Sequence, residues 1–244
     1  PNASLDIILL DLSDLSKVQK FAKEYKEKYN TLDILINNAG VMTTPYMTTE
    51  DGFEFQNGIN HLGHFALTAQ LFDLLKTTKD SRLVIVSSIA HKGGEVNLEN
   101  YMYEDEKEYT PMKSYRQSKL SNLLFMYELN RRIKDKELDI KVLAAHPGVS
   151  RTELTRYMLK GIMVILVYPL MLLFTQSASK GAQPQLRAAL DPNAKTGDFY
   201  GPSGYKEMKG KAVLVKAEPN AHNTQNAKDL WDLSEKLTGV TFSI

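Results

Sequence analysis

Cysteine is absent from all 244 residues. That excludes disulfides, thiolate metal sites and a cysteine nucleophile, and a thiol-free chain suits a reducing compartment. Excess charge is lacking too: 30 Lys and Arg stand against 29 Asp and Glu, for a net charge of +1. A nucleic-acid binder needs a clustered basic face, so no nucleic-acid partner is expected. There is no internal repeat and no low-complexity linker. The opening stretch, PNASLDIILLDLSDL, carries no charged-then-apolar signal pattern. The longest apolar run, GIMVILVYPLMLLF at 161–174, contains a proline and falls short of the roughly 18–20 residues that a spanning helix needs. It reads as a greasy substrate lid or an interfacial patch. The expected location is therefore cytoplasmic, with peripheral membrane contact through that run as an option.

What is present is a chain that can bury a core. Hydrophobic residues make up 43% of it, and the length suits one α/β domain over 1–244. Short apolar runs alternate with helical patterns. LDIILLDL (5–12) is followed by a helix at 14–29 with Leu15, Val18, Phe21, Ala22 and Tyr25 on one face. LDILINNAG (32–40), a helix from about Asn57 to Leu75, RLVIVSS (82–88), a long helix from about Ser114 to Ile133, and DIKVLAAHPG (139–148) complete the alternation. Near-continuous apolar strands between helices predict a parallel sheet covered on both faces. Ligands bind such sheets at the carboxyl ends of the strands. Asp11, Asn37–Gly40, Ser87–Ser88 and His146–Gly148 each follow a predicted strand, and together they mark one rim.

In YRQSK (115–119), Tyr115 and Lys119 are spaced i, i+4 and share one helix face. An ammonium there favours the phenolate, pulling the phenol down from its ordinary pKa of about 10. A phenol so tuned can pass a proton to or from a carbonyl oxygen. Taken alone, the spacing also suits a solvent-exposed pair.

Its company is more specific. LDILINNAG, Asn60–Phe65 (N-x-x-G-x-F), RLVIVSS, YRQSK and HPGVSRT (146–152) occur in that order. Together they resemble the short-chain dehydrogenase/reductase superfamily over nearly the whole chain. NGINHLGHFALT (57–68), VSSIAH (86–91), SYRQSKLSNLLF (114–125) and the tail elements YPL, GAQ and GDFYGP are similar to the retinol-dehydrogenase-like branch, which also includes protochlorophyllide reductases and WW-domain oxidoreductases.

The resemblance implies a Rossmann-like, doubly wound sheet and a nicotinamide cofactor, NADP slightly ahead of NAD. It implies Tyr115 as acid/base, Lys119 as the group that lowers its pKa and holds the ribose hydroxyls, and Ser88 on the substrate oxygen. Asn60 would keep a water in the proton relay. Asp11 and Leu12 would lie at the adenine, and Asn38, Ala39 and Gly40 along the adenosine half. Pro147, Gly148, Val149 and Thr152 would lie at the nicotinamide. The segment 153–180 would be a substrate lid, with Met158, Leu159, Met163, Leu166 and Leu170 lining it for a lipophilic alcohol or carbonyl such as a retinoid, sterol or fatty aldehyde. A homodimer would pair through the helices starting near Asn57 and Ser114.

One departure stands out. The family opens with a strand, a glycine-rich turn and a helix, and LDIILLDL resembles its third strand. Two βα units are therefore expected to be missing, about 50–60 residues at roughly 30 per unit. Those glycines bind the pyrophosphate, so the chain by itself is expected to hold NADH or NADPH weakly. The rival expectations are a non-catalytic interaction protein on the same scaffold, or an inactive fragment. GPSG (201–204) reads as a turn and replaces nothing. His61 and His64 lack a third ligand for zinc, so no metal is expected. GVSRT (148–152) lacks the second glycine of a hydrolase elbow, and Asp51–Gly52 reads as a turn before a helix.

Overall fold

The computed structural model describes residues 3–150 and 175–244. In chain order they form α1 (Leu15–Lys28), β1 (Ile34–Asn37), α2 (Phe55–Asn57), a π-helical segment (Gly58–Gly63) running into α3 (His64–Thr77), and β2 (Ser81–Val86). Then come α4 (Pro111–Asp135), β3 (Ile140–Ala145), α5 (Ala178–Gly181), α6 (Gln183–Leu190), β4 (Phe199–Pro202), β5 (Ala212–Leu214) and α7 (Thr224–Thr238).

The helices start where the side chains allow it. Asp14 accepts from the backbone N–H groups of Ser16 and Lys17 and caps α1. Thr110 caps α4 by accepting from Lys113 N–H at 3.2 Å, and Pro111 takes the first helical position, where its missing N–H costs nothing. At its far end α7 stops at Gly239 in the left-handed region, φ +67.

The strands lie side by side in the order β1-β2-β3-β4-β5. The first four are parallel, and β5 turns back antiparallel against β4. Alternate residues feed two cores. Leu83, Ile85, Val142, Ala144 and Phe199 face α3 and α4, whereas Val84, Leu143, Ala145 and Tyr200 meet Ala188 and Ala189 of α6. The α/β sheet covered on both faces is thus the one the alternation predicts. Helix α7 lies on α4, where Trp231 packs against Phe65 and Phe125 at ring separations of 5.2 and 5.8 Å. Helix α7 therefore covers part of α4.

Two expectations fail. Residues 5–12 form no strand: Leu5, Ile7 and Leu9 are 90%, 85% and 89% exposed along an extended, unpaired segment. Strand geometry is held by a neighbour's N–H and C=O groups, and none lies beside this segment among the described residues. GPSG is not simply a turn either, because Gly201 and Pro202 close β4 before Ser203 and Gly204 lead back into β5. Asp51–Gly52 is a turn as expected, with Gly52 N–H donating to Thr49 O.

Candidate active site

Helix α4 is laced to the carboxyl end of β2. The Ser87 hydroxyl donates to Lys119 O at 2.7 Å, and the Asn122 amide donates to Val86 O at 3.1 Å. This seating buries Tyr115 and Lys119, each 4% exposed, which rules out the solvent-exposed pair. Ser88 and Tyr115 are close enough that the serine hydroxyl favours the ionised phenol, pulling against burial. Lys119 Nζ donates to Val86 O at 3.3 Å and lies 5.8 Å from the Tyr115 ring centre. Ser88, Tyr115 and Lys119, read from two separate motifs, converge at one strand end.

The electrostatics differ from the simple expectation. Burial raises Tyr115 above its ordinary value, and Ser88 only partly offsets this. Burial also lowers Lys119, from 10.5 to about 8. Desolvation penalises both charged forms, so in this chain Lys119 does not bring the phenol below its ordinary range. At neutral pH the phenol keeps its proton, as a general acid must.

Asn60 sits in the π-helical segment, a local widening found frequently at functional sites. Its side chain is fully engaged. Nδ2 donates to Val41 O and to Ser118 Oγ, both at 2.9 Å, and Oδ1 accepts from Val41 N–H at 2.8 Å. It therefore ties the turn after β1 to the residue preceding Lys119. Nothing larger than glycine fits between them: a Cβ on Gly40 would lie 2.8 Å from Asn60 Oδ1 and 3.3 Å from Lys119 Nζ. Asn38 and Ala39 are exposed on the same turn.

Across the rim, the Pro147 carbonyl accepts from Gln176 Nε2 at 2.8 Å and from Ser150 Oγ at 3.0 Å. Gly148 takes φ +65, and Val149 N–H donates to Met208 O at 2.7 Å. Asp11 does not end a strand. It accepts from Ser13 and from Lys17 at 2.9 Å, and those bonds from Ser13 and Lys17 hold it at about 2. Leu12 is buried and packs on Gly63. Thr152, Met158, Leu159, Met163, Leu166 and Leu170 lie outside the described residues.

His61 and His64 are buried among protein partners. His61 Nε2 meets Ser234 Oγ at 2.9 Å and His64 Nδ1 meets Asn60 O at 3.2 Å. Burial lowers them to about 3 and about 4, so both are neutral. Among the described residues no three ligating side chains cluster. Nor is any helix there long and apolar enough to cross a membrane. Two surface clefts, of about 940 and 870 Å³, lie away from Tyr115. One runs between α1 and α3; the other is lined by residues such as Gln176, Tyr205 and Lys211.

Sequence reasoning missed Glu54. It is fully buried, and its carboxylate accepts from the N–H groups of Gln56 and Asn57, from Asn57 Nδ2 and from Ser114 Oγ. One carboxylate thus joins the helix leading to Asn60 to the residue before Tyr115. Its only signal was position, just before a helix start.

With this geometry in view, relatives decide the family. Residues 2–103 match the family model described as short chain dehydrogenase. Human retinol dehydrogenase 12 is 37% identical over 98% of this chain and 71% of its own length. The chain belongs to the short-chain dehydrogenase family. Within the family it is retinol-dehydrogenase-like: mouse retinol dehydrogenase 14 is 40% identical over 95% of this chain. The chain spans 66% of that relative's length. Among solved structures, an uncharacterized protein from Mycobacterium paratuberculosis superimposes with TM-score 0.78 at 40% identity, covering 96% of this chain and 76% of that one. The short-chain dehydrogenase fold also relates it to the NADPH-bound carbonyl reductase from chicken fatty liver, at TM-score 0.55, 20% identity, 85% of this chain and 77% of that one.

Proposed function

We propose that the full-length protein is an NAD(P)-dependent oxidoreductase that interconverts a lipophilic alcohol and its aldehyde or ketone. The observation that carries this reading is the burial of Tyr115 and Lys119 together, Nζ 5.8 Å from the ring centre, against the end of the strand that leads to Ser88. The relatives' retinol dehydrogenase names support an apolar alcohol of retinoid type.

The residues on this chain fit the nicotinamide-ribose end of a dinucleotide. Gly40 lets the turn after β1 lie close against Asn60 and Lys119, and the Pro147–Val149 turn follows β3 at the same edge of the sheet. The pyrophosphate-binding glycine turn is not among these 244 residues. When bound, the nicotinamide supplies or takes the hydride.

Tyr115 gives its proton to the substrate oxygen in reduction and takes it back in oxidation. Ser88 donates a second hydrogen bond to that oxygen as its charge grows, which stabilises the transition state more than the ground state. Lys119, protonated at neutral pH with its value near 8, offsets the charge left on the phenol. Asn60 fixes the turn carrying Gly40 against Lys119. The intact Ser88, Tyr115 and Lys119 speak against a non-catalytic scaffold, which has no physical need of all three.

The test is Ser88→Ala in the full-length protein with a retinoid-type alcohol and each nucleotide. The expected result is a loss of about a hundredfold in kcat with nucleotide KM unchanged, the scale of one lost oxyanion donor. Unchanged turnover refutes the reading.

A further inference from the structure

The geometry points to Glu207 as a positioning residue that locks the Ser88 loop and the His146–Val149 turn together, setting two walls between which a nicotinamide ring would lie. The inference rests on the dinucleotide reading above.

Glu207 belongs to neither wall in sequence, yet it reaches both. Its Oε1 accepts from Lys92 Nζ at 2.7 Å, and Lys92 sits on the 3₁₀ turn Ile89–Gly93 that Ser88 caps. Its Oε2 meets His146 Nε2 at 2.9 Å, and His146 is fully buried at the end of β3. The tautomer of His146 follows from its other nitrogen. Gly148 N–H, which can only donate, points at His146 Nδ1 at 3.2 Å. Nδ1 must therefore accept, so Nε2 carries the proton and donates to Glu207. One carboxylate thereby orients the imidazole, and the imidazole orients the N–H of the turn. Both bonds are charge-assisted, and such bonds are short and strong.

The backbone adds two further signs. Lys206 and Glu207 both hold positive φ, +47 and +57, a conformation that side-chain-bearing residues adopt at a cost and keep where the surroundings over-determine it. This kink brings the carbonyls of Glu207 and Met208 onto Gly148 so closely that a Cβ there would run into both. Met208 O then accepts from Val149 N–H. The loop thus grips the turn through a side chain and through its main chain. Burial raises the Glu207 carboxyl, but the bonds from His146 and Lys92 outweigh this and hold it at about 2, so the clamp is ionised throughout the physiological range.

The experiment separates a nicotinamide wall from general structural damage by using two probes on the full-length protein. Affinities are measured for NADH and NADPH, and for ADP-ribose and its 2′-phosphate, which lack the nicotinamide ring. Glu207→Ala is expected to weaken the intact dinucleotide about tenfold, the value of one charge-assisted bond, and to leave the ringless nucleotide within about twofold. Glu207→Gln, which can still accept from His146, is expected to recover most of the loss. Should Glu207→Ala fail to fold, Lys92→Met opens the clamp from its exposed end and is expected to show the same selectivity at about threefold. Equal losses for both probes, or none for either, overturn the inference. If turnover is lost in Tyr115→Phe while dinucleotide affinity is indifferent to Glu207 and Lys92, the enzyme reading stands and this one falls. A wild type that binds no dinucleotide overturns both.

Discussion

The ammonium of Lys119 lies 5.8 Å from the centre of the Tyr115 ring, and both side chains are withdrawn from water. A lysine at that depth is held at a cost to folding. Its ordinary value of 10.5 falls to about 8. Between those values the unfolded chain holds a proton that the folded chain has released, so stability rises with pH through that window. Below it the folded state bears the whole penalty, about 3 kcal/mol. Lys119→Met is therefore expected to raise stability at pH 7 and to flatten the rise between pH 8 and 10.5. The Val86 carbonyl keeps its bond from Asn122. Denaturant midpoints across that pH range check this; a less stable variant at pH 7 would contradict it.

Gly40→Ala is expected to destabilise by about 2 kcal/mol and to reduce turnover, although the position looks like an ordinary turn. The added methyl meets Asn60 Oδ1, which cannot swing aside because three hydrogen bonds to Val41 and Ser118 fix the amide. An equilibrium unfolding curve measures the loss. A variant as stable as the wild type would show that the Asn60 bridge is looser than described.

Glu54→Ala is expected to cost about 3 kcal/mol or more, since four donors lose their acceptor in a dry interior. Glu54→Gln keeps one acceptor oxygen and should fall between the two. Thermal unfolding separates the three proteins, and equal stability of Ala and Gln would count against the shared-acceptor account.

Much of this was legible before any coordinates. Val18 and Ala22 are buried on the predicted face of α1, β1 and β3 lie within the apolar runs, β2 starts one residue before its run, and Tyr115 and Lys119 share a helix face as their spacing requires. Residues 5–12 have the same apolar character yet form no strand, because pairing partners and not composition make one. Strands β4 and β5 went unread: FYGP carries glycine and proline, and AVL is too short to show a period. The fall in the Lys119 value was hidden too, because spacing reports direction around a helix and not depth. Glu54 and Glu207 were missed for a related reason. Each also reaches a residue far away in the chain, Ser114 for Glu54 and Lys92 and His146 for Glu207, and no local pattern encodes that.

The account's central claim is that the Tyr115 hydroxyl carries the proton. The most direct measurement is redox turnover of the full-length Tyr115→Phe variant beside the wild type, with nucleotide affinity measured on the same samples. The predicted result is turnover lower by a factor of about a hundred or more, the range for removing a general acid, with nucleotide affinity within about twofold. Turnover that survives the loss of that single oxygen would contradict the account.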